Sequence, residues 1–308
     1  MNRVAIMGET PAQLVWGRFR HHTLAVVSAL VLAALAIAVL LAPVFEMAMG
    51  LDANTVDLFN RFRAPTSGHP LGTDELGRDL FLRLLYGGRV SLLVGLVAAL
   101  FATVIGTAVG LTAGYFGGRT DAFLMRVTDG VISLPLLPLL IVLAAIDLSK
   151  LGLPGTITES ESASLYRIIA IVALAGWTTV ARLVRASTLS IKQRTFVMAA
   201  VAQGGGPIRI MSVHILPNLA SPIIVATTLA AGNIILLESV LSFLGLGIQP
   251  PLPSWGNLLT NAQEIIWEAP LQAFYPGVLI FATVIAFNFL GDGLQDALDP
   301  RATEVRAD

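Results

Sequence analysis

The sequence predicts an all-α membrane protein with six transmembrane helices. Three observations carry that prediction. Of 308 residues, 55% are hydrophobic and only 13% are charged, whereas a soluble domain carries about 25% charged residues. The mean hydropathy is +0.78. The apolar residues also collect into six charge-free windows, most of them near the roughly 20 residues needed to cross a bilayer core of about 30 Å.

The windows run from Thr23 to Phe45, Val90 to Gly118, Gly130 to Ile146, Ile168 to Ala181, Ile210 to Leu237 and Ala269 to Gly291. The fourth is the shortest, with 14 residues, and spans the bilayer only if Arg167 and Arg182 sit at its two interfaces and snorkel outward. The first is longer than the 7–15 residues of a signal-peptide core and follows 22 residues, which reads as a retained anchor. The chain divides accordingly into residues 1–45 (N-terminus and first helix), a polar connector over 46–88, a five-helix core over 89–294 and a tail over 295–308. The core contains an inner loop at 182–218.

Basic residues mark the cytoplasmic side. With the N-terminus inside, segments 1–22, 113–126, 182–218 and the tail hold twelve of the 19 Lys and Arg. The opposite side holds most of the acids, among them Asp52, Asp57, Asp74, Glu75, Asp79, Glu159, Glu161, Glu264 and Glu268. Six spans return the C-terminus to the cytoplasm.

Composition also narrows the chemistry. A net charge of −1 lacks the basic excess of a nucleic-acid binder. With no Cys, disulfides and thiolate metal centres are excluded, and four His (His21, His22, His69, His214) make a His-based metal site improbable. The two lysines, Lys150 and Lys192, do not follow Gly, so the chain has no Gly-Lys-Ser/Thr phosphate cradle. If ATP drives this protein, another chain hydrolyses it. No catalytic set emerges: His214 has no Ser or Asp partner at a motif spacing, and His69, near Asp74, reads as a surface ion pair.

Within the spans, Gly106, Gly110 and Gly114 lie on one helix face and permit close approach of a second helix. Ordinary packing and a path that changes shape are both open readings. Glu238 is the one acid inside a span; an ionised acid at mid-membrane costs about 2.5–3.5 kcal/mol on insertion scales. It serves either a pathway or gate, or a hydrogen bond to a neighbouring helix. Asn288 raises the same question. Asp292, Asp296 and Asp299 are spaced for a cation, yet also suit a solvated helix end.

The inner loop is the most informative stretch. Thr195 precedes a short alanine-rich helical run, Phe196 to Gln203, ended by Gly204, Gly205 and Gly206. Pro207 opens a second run, Ile208 to Ile215, that leads to Pro217 and the fifth span. Helices this short are not stable alone in water and must pack on something.

Here a family resemblance appears. Ala199-Ala200, three residues, Gly204, nine residues, then His214-Ile215-Leu216-Pro217 resembles the coupling loop of ABC-importer permeases. Met198 stands where the general pattern has Glu, and His214 where it has Ile. The His-Ile-Leu-Pro-Asn form is similar to the peptide and nickel branch. So are His69-Pro70-Leu71-Gly72-Thr73-Asp74 with Gly77-Arg78-Asp79, and Gly114 to Gly118 with Asp121, Met125, Arg126 and Asp129. Further matches are Glu238 to Gly247 with Gln249-Pro250-Pro251 and Pro253 to Gly256, and Gly291 to Leu294 with Asp296 and Asp299-Pro300-Arg301.

The resemblance spans residues 20–301 and looks like the second permease of a dipeptide/oligopeptide/nickel ABC importer. It implies the ABC type I importer permease fold, with a cytoplasmic coupling helix, in a bacterial plasma (inner) membrane. It implies a homologous permease as heterodimer partner, two cytoplasmic ATPase subunits carrying ATP and Mg, and an extracytoplasmic substrate-binding protein. No cofactor would be bound directly. ATPase coupling would fall to Met198, Ala199, Ala200, Gly204, His214, Leu216 and Pro217. Peptide is favoured over nickel as cargo, because the chain has no Cys and its spans little His for a soft metal. A stand-alone secondary transporter usually carries ionisable groups in several spans, and only Glu238 qualifies here. A membrane-embedded enzyme would need clustered His, Asp or Glu near a membrane face.

Overall fold

The computed structural model describes residues 11–146, 160 and 162–298. Arg3, Lys150, Glu159, Glu161, Asp299, Pro300, Arg301 and Arg306 lie outside the described residues.

Among the described residues the chain is helical, with no strand beyond one isolated bridge between Thr73 and Asp79. The amphipathic α1 (Pro11–His21) meets α2 (Thr23–Leu40) at His22, whose Nδ1 accepts the Ala25 amide at 3.2 Å and caps the second helix. The short α3 (Ala42–Met49) ends at Gly50 in the left-handed region.

A 37-residue helix, α4 (Leu80–Phe116), follows. At 1.5 Å per residue it is about 55 Å long, well beyond the roughly 30 Å hydrocarbon core. It starts ten residues before the charge-free window because Asp79 accepts the Leu82 amide at 2.8 Å as N-cap, and Arg83 and Arg89 lie in its first turns. After α4 come α5 (Gly118–Ser133) and α6 (Leu136–Ala144). The long α7 (Ala163–Lys192) and the short α8 (Thr195–Ala202) follow. A helical run from Pro207 to Phe243 ends in α9 (Ala220–Phe243), and α10 (Pro270–Leu298) completes the bundle.

Five of these helices are long and apolar enough to cross a membrane: α2, α4, α7, the Pro207–Phe243 run and α10. The third expected span differs. It is the pair α5 and α6, bent by 84° at Leu134-Pro135, which makes six if the pair is one span. Pro135 has no amide hydrogen to continue the ladder, and it biases Leu134 to its extended conformation (ψ 137°). The fourth expected span is longer than its charge-free window, since α7 is a 30-residue helix. Arg182, placed at an interface by the sequence, is paired with Asp129.

Among the described residues the α4–α7 contact is the most extensive, followed by α9 against α10 and α4. Small residues make the first possible. A Cβ on Gly106 would lie 2.6 Å from the Trp177 carbonyl, one on Gly110 2.9 Å from the Arg185 amide, and one on Gly114 2.7 Å from Thr188 Cβ. Backbones this close gain dispersion contacts that lipid tails do not match.

The 46–88 stretch is closely tied. Asp74 accepts the Leu76 and Arg78 amides at 2.9 Å and the Arg78 Nε at 2.8 Å. His69 Nδ1 lies 2.9 Å from Asp79 Oδ2. The expected surface ion pair near Asp74 is therefore a largely buried pair with Asp79, because the Gly72 and Gly77 turns fold the segment back on the α4 N-cap.

Candidate functional site

One end of the bundle carries a platform built on α8. Val197 points inward and joins Ile191, Ile210, Ile215 and Leu219 in a small core. Most of the rest of α8 is open: Met198 is 53% exposed and Val201 51%, and Ala199 is also exposed while Ala200 is half-buried. Gly204 ends the helix with φ +79°. Its amide donates to the Val201 carbonyl at 2.9 Å and the Gly205 amide to the Ala200 carbonyl at 3.0 Å, satisfying carbonyls that the helix end leaves free.

The second half of the platform is irregular. Pro207–Arg209 is one α turn, Ile210–Ile215 a π segment and Leu216–Leu219 a 3-10 turn. Pro217 accounts for this, since it donates no amide and its ring clashes with the carbonyl four residues back. His214 and Leu216 are half-buried and Pro217 is exposed, and the Asn218 side chain donates to the His214 carbonyl at 2.8 Å. The structure thus places Met198, Ala199 and Ala200 on α8 with Gly204 just past its end, His214 on the π segment packed beside α8, and Leu216 and Pro217 on the 3-10 turn that follows.

A cavity of about 470 Å³ lies beside α8, between Tyr115, Phe116, Lys192, Met198 and Val201. Lys192 Nζ donates to the Tyr115 carbonyl and sits 5.4 Å over its ring. A cation there complements the negative C-terminal end of α4. Two further ion pairs tie α5 to α7: Arg185 to Asp121 through both carboxylate oxygens (Nη2 to Oδ2, 2.6 Å), and Arg182 to Asp129. Sequence reasoning missed these pairs. Their only signal was a pair of acids on one amphipathic helix and a pair of arginines on another.

Glu238 lies toward the other end of α9 and is fully enclosed. Its carboxylate accepts from Ser91 Oγ at 3.1 Å and Ser242 Oγ at 2.7 Å. Ser91 Oγ in turn accepts the Trp255 amide at 3.1 Å, and Trp255 Nε1 donates to the Leu84 carbonyl. The acid therefore joins α4, α9 and the 244–261 loop. Asn288 donates to the Val284 carbonyl of its own helix at 2.8 Å, facing Gly232 of α9. Asn233, in contrast, is exposed mid-helix on α9. The sequence reading passed over it, although an Asn inside an apolar span was the available signal. Asp296 lies 3.6 Å from His22 Nε2, and among the described residues no group of three His, Asp or Glu is placed to hold a metal ion.

Comparison with known proteins gives two family matches. Residues 106–304 match the binding-protein-dependent transport system inner membrane component. Residues 10–63 match the N-terminal transmembrane domain of oligopeptide transport permease C. The chain is 35% identical over 284 residues to the oligopeptide transport system permease protein OppC of Bacillus subtilis (strain 168), covering 92% of this chain and 88% of that protein. It is 37% identical over 292 residues to the dipeptide transport system permease protein DppC of Alkalihalophilus pseudofirmus, covering 95% and 90%. It is 36% identical over 278 residues to the nickel transport system permease protein NikC of Escherichia coli (strain K12), covering 90% and 95%.

Proposed function

We propose that this chain, which belongs to the family of inner membrane components of binding-protein-dependent transport systems, is one permease of an ATP-driven importer of di- or oligopeptides. It forms a translocation path with a second, homologous permease and does no bond-making chemistry itself. Two cytoplasmic ATPases bind ATP and Mg and supply the power stroke, and an extracytoplasmic binding protein delivers the cargo. The N- and C-termini and the α8 platform face the cytoplasm, and the 46–88 connector faces outward.

The observation that carries this reading is the exposed α8 face with its buried root. Met198 and Val201 offer apolar area to a soluble partner, while Val197 anchors the same helix to Ile191 and Ile210. A push on α8 is thereby transmitted to α7 and, through Ile215 and Leu219, to α9. A rigid platform on a packed bundle moves helices as bodies, which is what alternating access requires. Met198 offers no ion pair where the general pattern has an acid, so docking at that position is apolar. Asn233, exposed in mid-span, is suited to a polar lumen or a partner subunit rather than to lipid.

Peptide is favoured as cargo because two of the relatives named above are peptide permeases and the chain has no Cys. The nickel relative keeps a nickel chelate as the second reading. The test is uptake in vesicles containing both permeases, with and without the ATPases, with the binding protein and labelled peptide outside. Transport only with ATPases and ATP is expected. Uptake driven by an ion gradient with no ATPase overturns the reading, and uptake of nickel but not peptide moves it to the second.

A further inference from the structure

The end of the bundle opposite α8 holds a cavity of about 310 Å³ where the start of α4, the 73–79 turn, the 244–261 loop and the start of α10 meet. Arg83 lines it and is only 3% exposed. Its Nε is 3.3 Å from Asp74 Oδ2, yet Nε and Nη1 have no hydrogen-bond partner among the described residues. Asp74 is already committed to Arg78 and to two backbone amides. A buried guanidinium with unmet donors is costly, and as a cation in the cavity wall Arg83 is the group to which an oxyanion entering the cavity would be drawn.

Charge balance narrows the ligand. The cavity wall carries Asp74 and Glu75 against Arg78 and Arg83, formally neutral in sum. A monoanion would leave the site negative and a polyanion more so. A zwitterion leaves it balanced, with a carboxylate on Arg83 and an ammonium on Glu75. Gln249 and Gln272 add neutral polar groups to the wall.

We propose that this cavity is a binding site for a small zwitterion, whose carboxylate is held by Arg83 and whose ammonium is held by Glu75. The proposal deepens the reading of the chain as a peptide permease and rests on it for the cargo class. As a waiting site at the mouth opposite the platform, it would select for free peptide termini independently of the binding protein.

The test is equilibrium binding to the reconstituted permease–ATPase complex, without binding protein or ATP, read by saturation-transfer NMR. The probes are glycylglycine, glycylglycinamide, which lacks the carboxylate, and N-acetylglycylglycine, which lacks the ammonium. The free dipeptide is expected to bind about tenfold more tightly than either capped form, as loss of one charge-assisted hydrogen bond implies. R83Q should erase the penalty for amidation only, and E75Q the penalty for acetylation only. Glu75 is half-buried at the rim, so E75Q tests the site even if R83Q does not fold. Equal binding of all three probes to the native complex, or an unchanged acetylation penalty in E75Q, overturns the proposal. Because no ATP is used, failure here leaves the uptake result of the importer reading standing, and failure of uptake leaves this result readable.

Discussion

Ser91 and Glu238, 147 positions apart, are joined by a 3.1 Å hydrogen bond in a fully enclosed setting. That bond ties α4 to α9, and the same serine hydroxyl accepts the Trp255 amide, so one small side chain holds two helices and a loop together. A carboxyl group bonded across two helices is suited to holding them together, which is the hydrogen-bond reading of Glu238 that the next variants test against the pathway reading.

Glu238→Gln keeps the size and one acceptor, and is expected to leave both uptake and thermal stability close to native. Glu238→Ala leaves a void and takes the acceptor from two buried serine hydroxyls, and should cost about 2–4 kcal/mol. Thermal unfolding of the purified complex checks both. A Glu238→Gln protein that is stable but unable to transport would make the acid a pathway residue instead.

Gly110 and Gly130 make a contrasting pair. A Cβ at Gly110 meets Val184 Cβ at 2.9 Å, whereas one at Gly130 meets nothing within 4 Å. Gly110→Ala should destabilise by about 1–3 kcal/mol. Gly130→Ala, in a helix with open space, should be neutral or stabilise by up to about 1 kcal/mol. Melting curves of the two variants side by side decide the point.

Asp121 and Arg185 form a two-oxygen ion pair that is partly screened by solvent. A double-mutant cycle with Asp121→Asn and Arg185→Gln should give a coupling of about 1 kcal/mol, at the upper end for pairs of this exposure. Zero coupling would mean the pair orients α5 without holding it.

Gly204→Val meets no atoms, yet asks a β-branched residue to adopt φ +79°, a conformation costing roughly 1–2 kcal/mol for a residue with a Cβ. Bulk also projects from the platform. Peptide uptake should fall to background while the amount of protein in the membrane is unchanged. Normal uptake by this variant would remove α8 from the coupling path.

Asn233→Leu changes an exposed polar group and no described internal contact. Stability should stay within about 0.5 kcal/mol of native, and uptake should fall if the residue lines the path. Unchanged uptake would remove Asn233 from the path.

Much of the helical layout was legible because hydropathy acts residue by residue. The windows from Thr23 and Ala269 lie close to α2 and α10, and the Gly204 stop and the Pro207 restart are both present. The start of α4 and both ends of α7 were not legible. Arg83, Arg89, Arg182 and Arg185 look like boundaries when read as charges, but Arg83 is buried and Arg182 and Arg185 are paired with acids from other elements. The break at Pro135 was hidden for the opposite reason: a charge-free window registers apolarity and not backbone direction.

The sequence by itself determined the solvent of this protein, its helical class and the glycine-bounded elbow, since composition and local backbone preference suffice for these. Only the tertiary structure decided that Asp121 meets Arg185, that Glu238 is bonded to Ser91 and Ser242, and that Arg83 is buried in a cavity wall with two nitrogens unpartnered among the described residues. Those outcomes depend on distances between residues far apart along the chain, which packing sets and local preference does not.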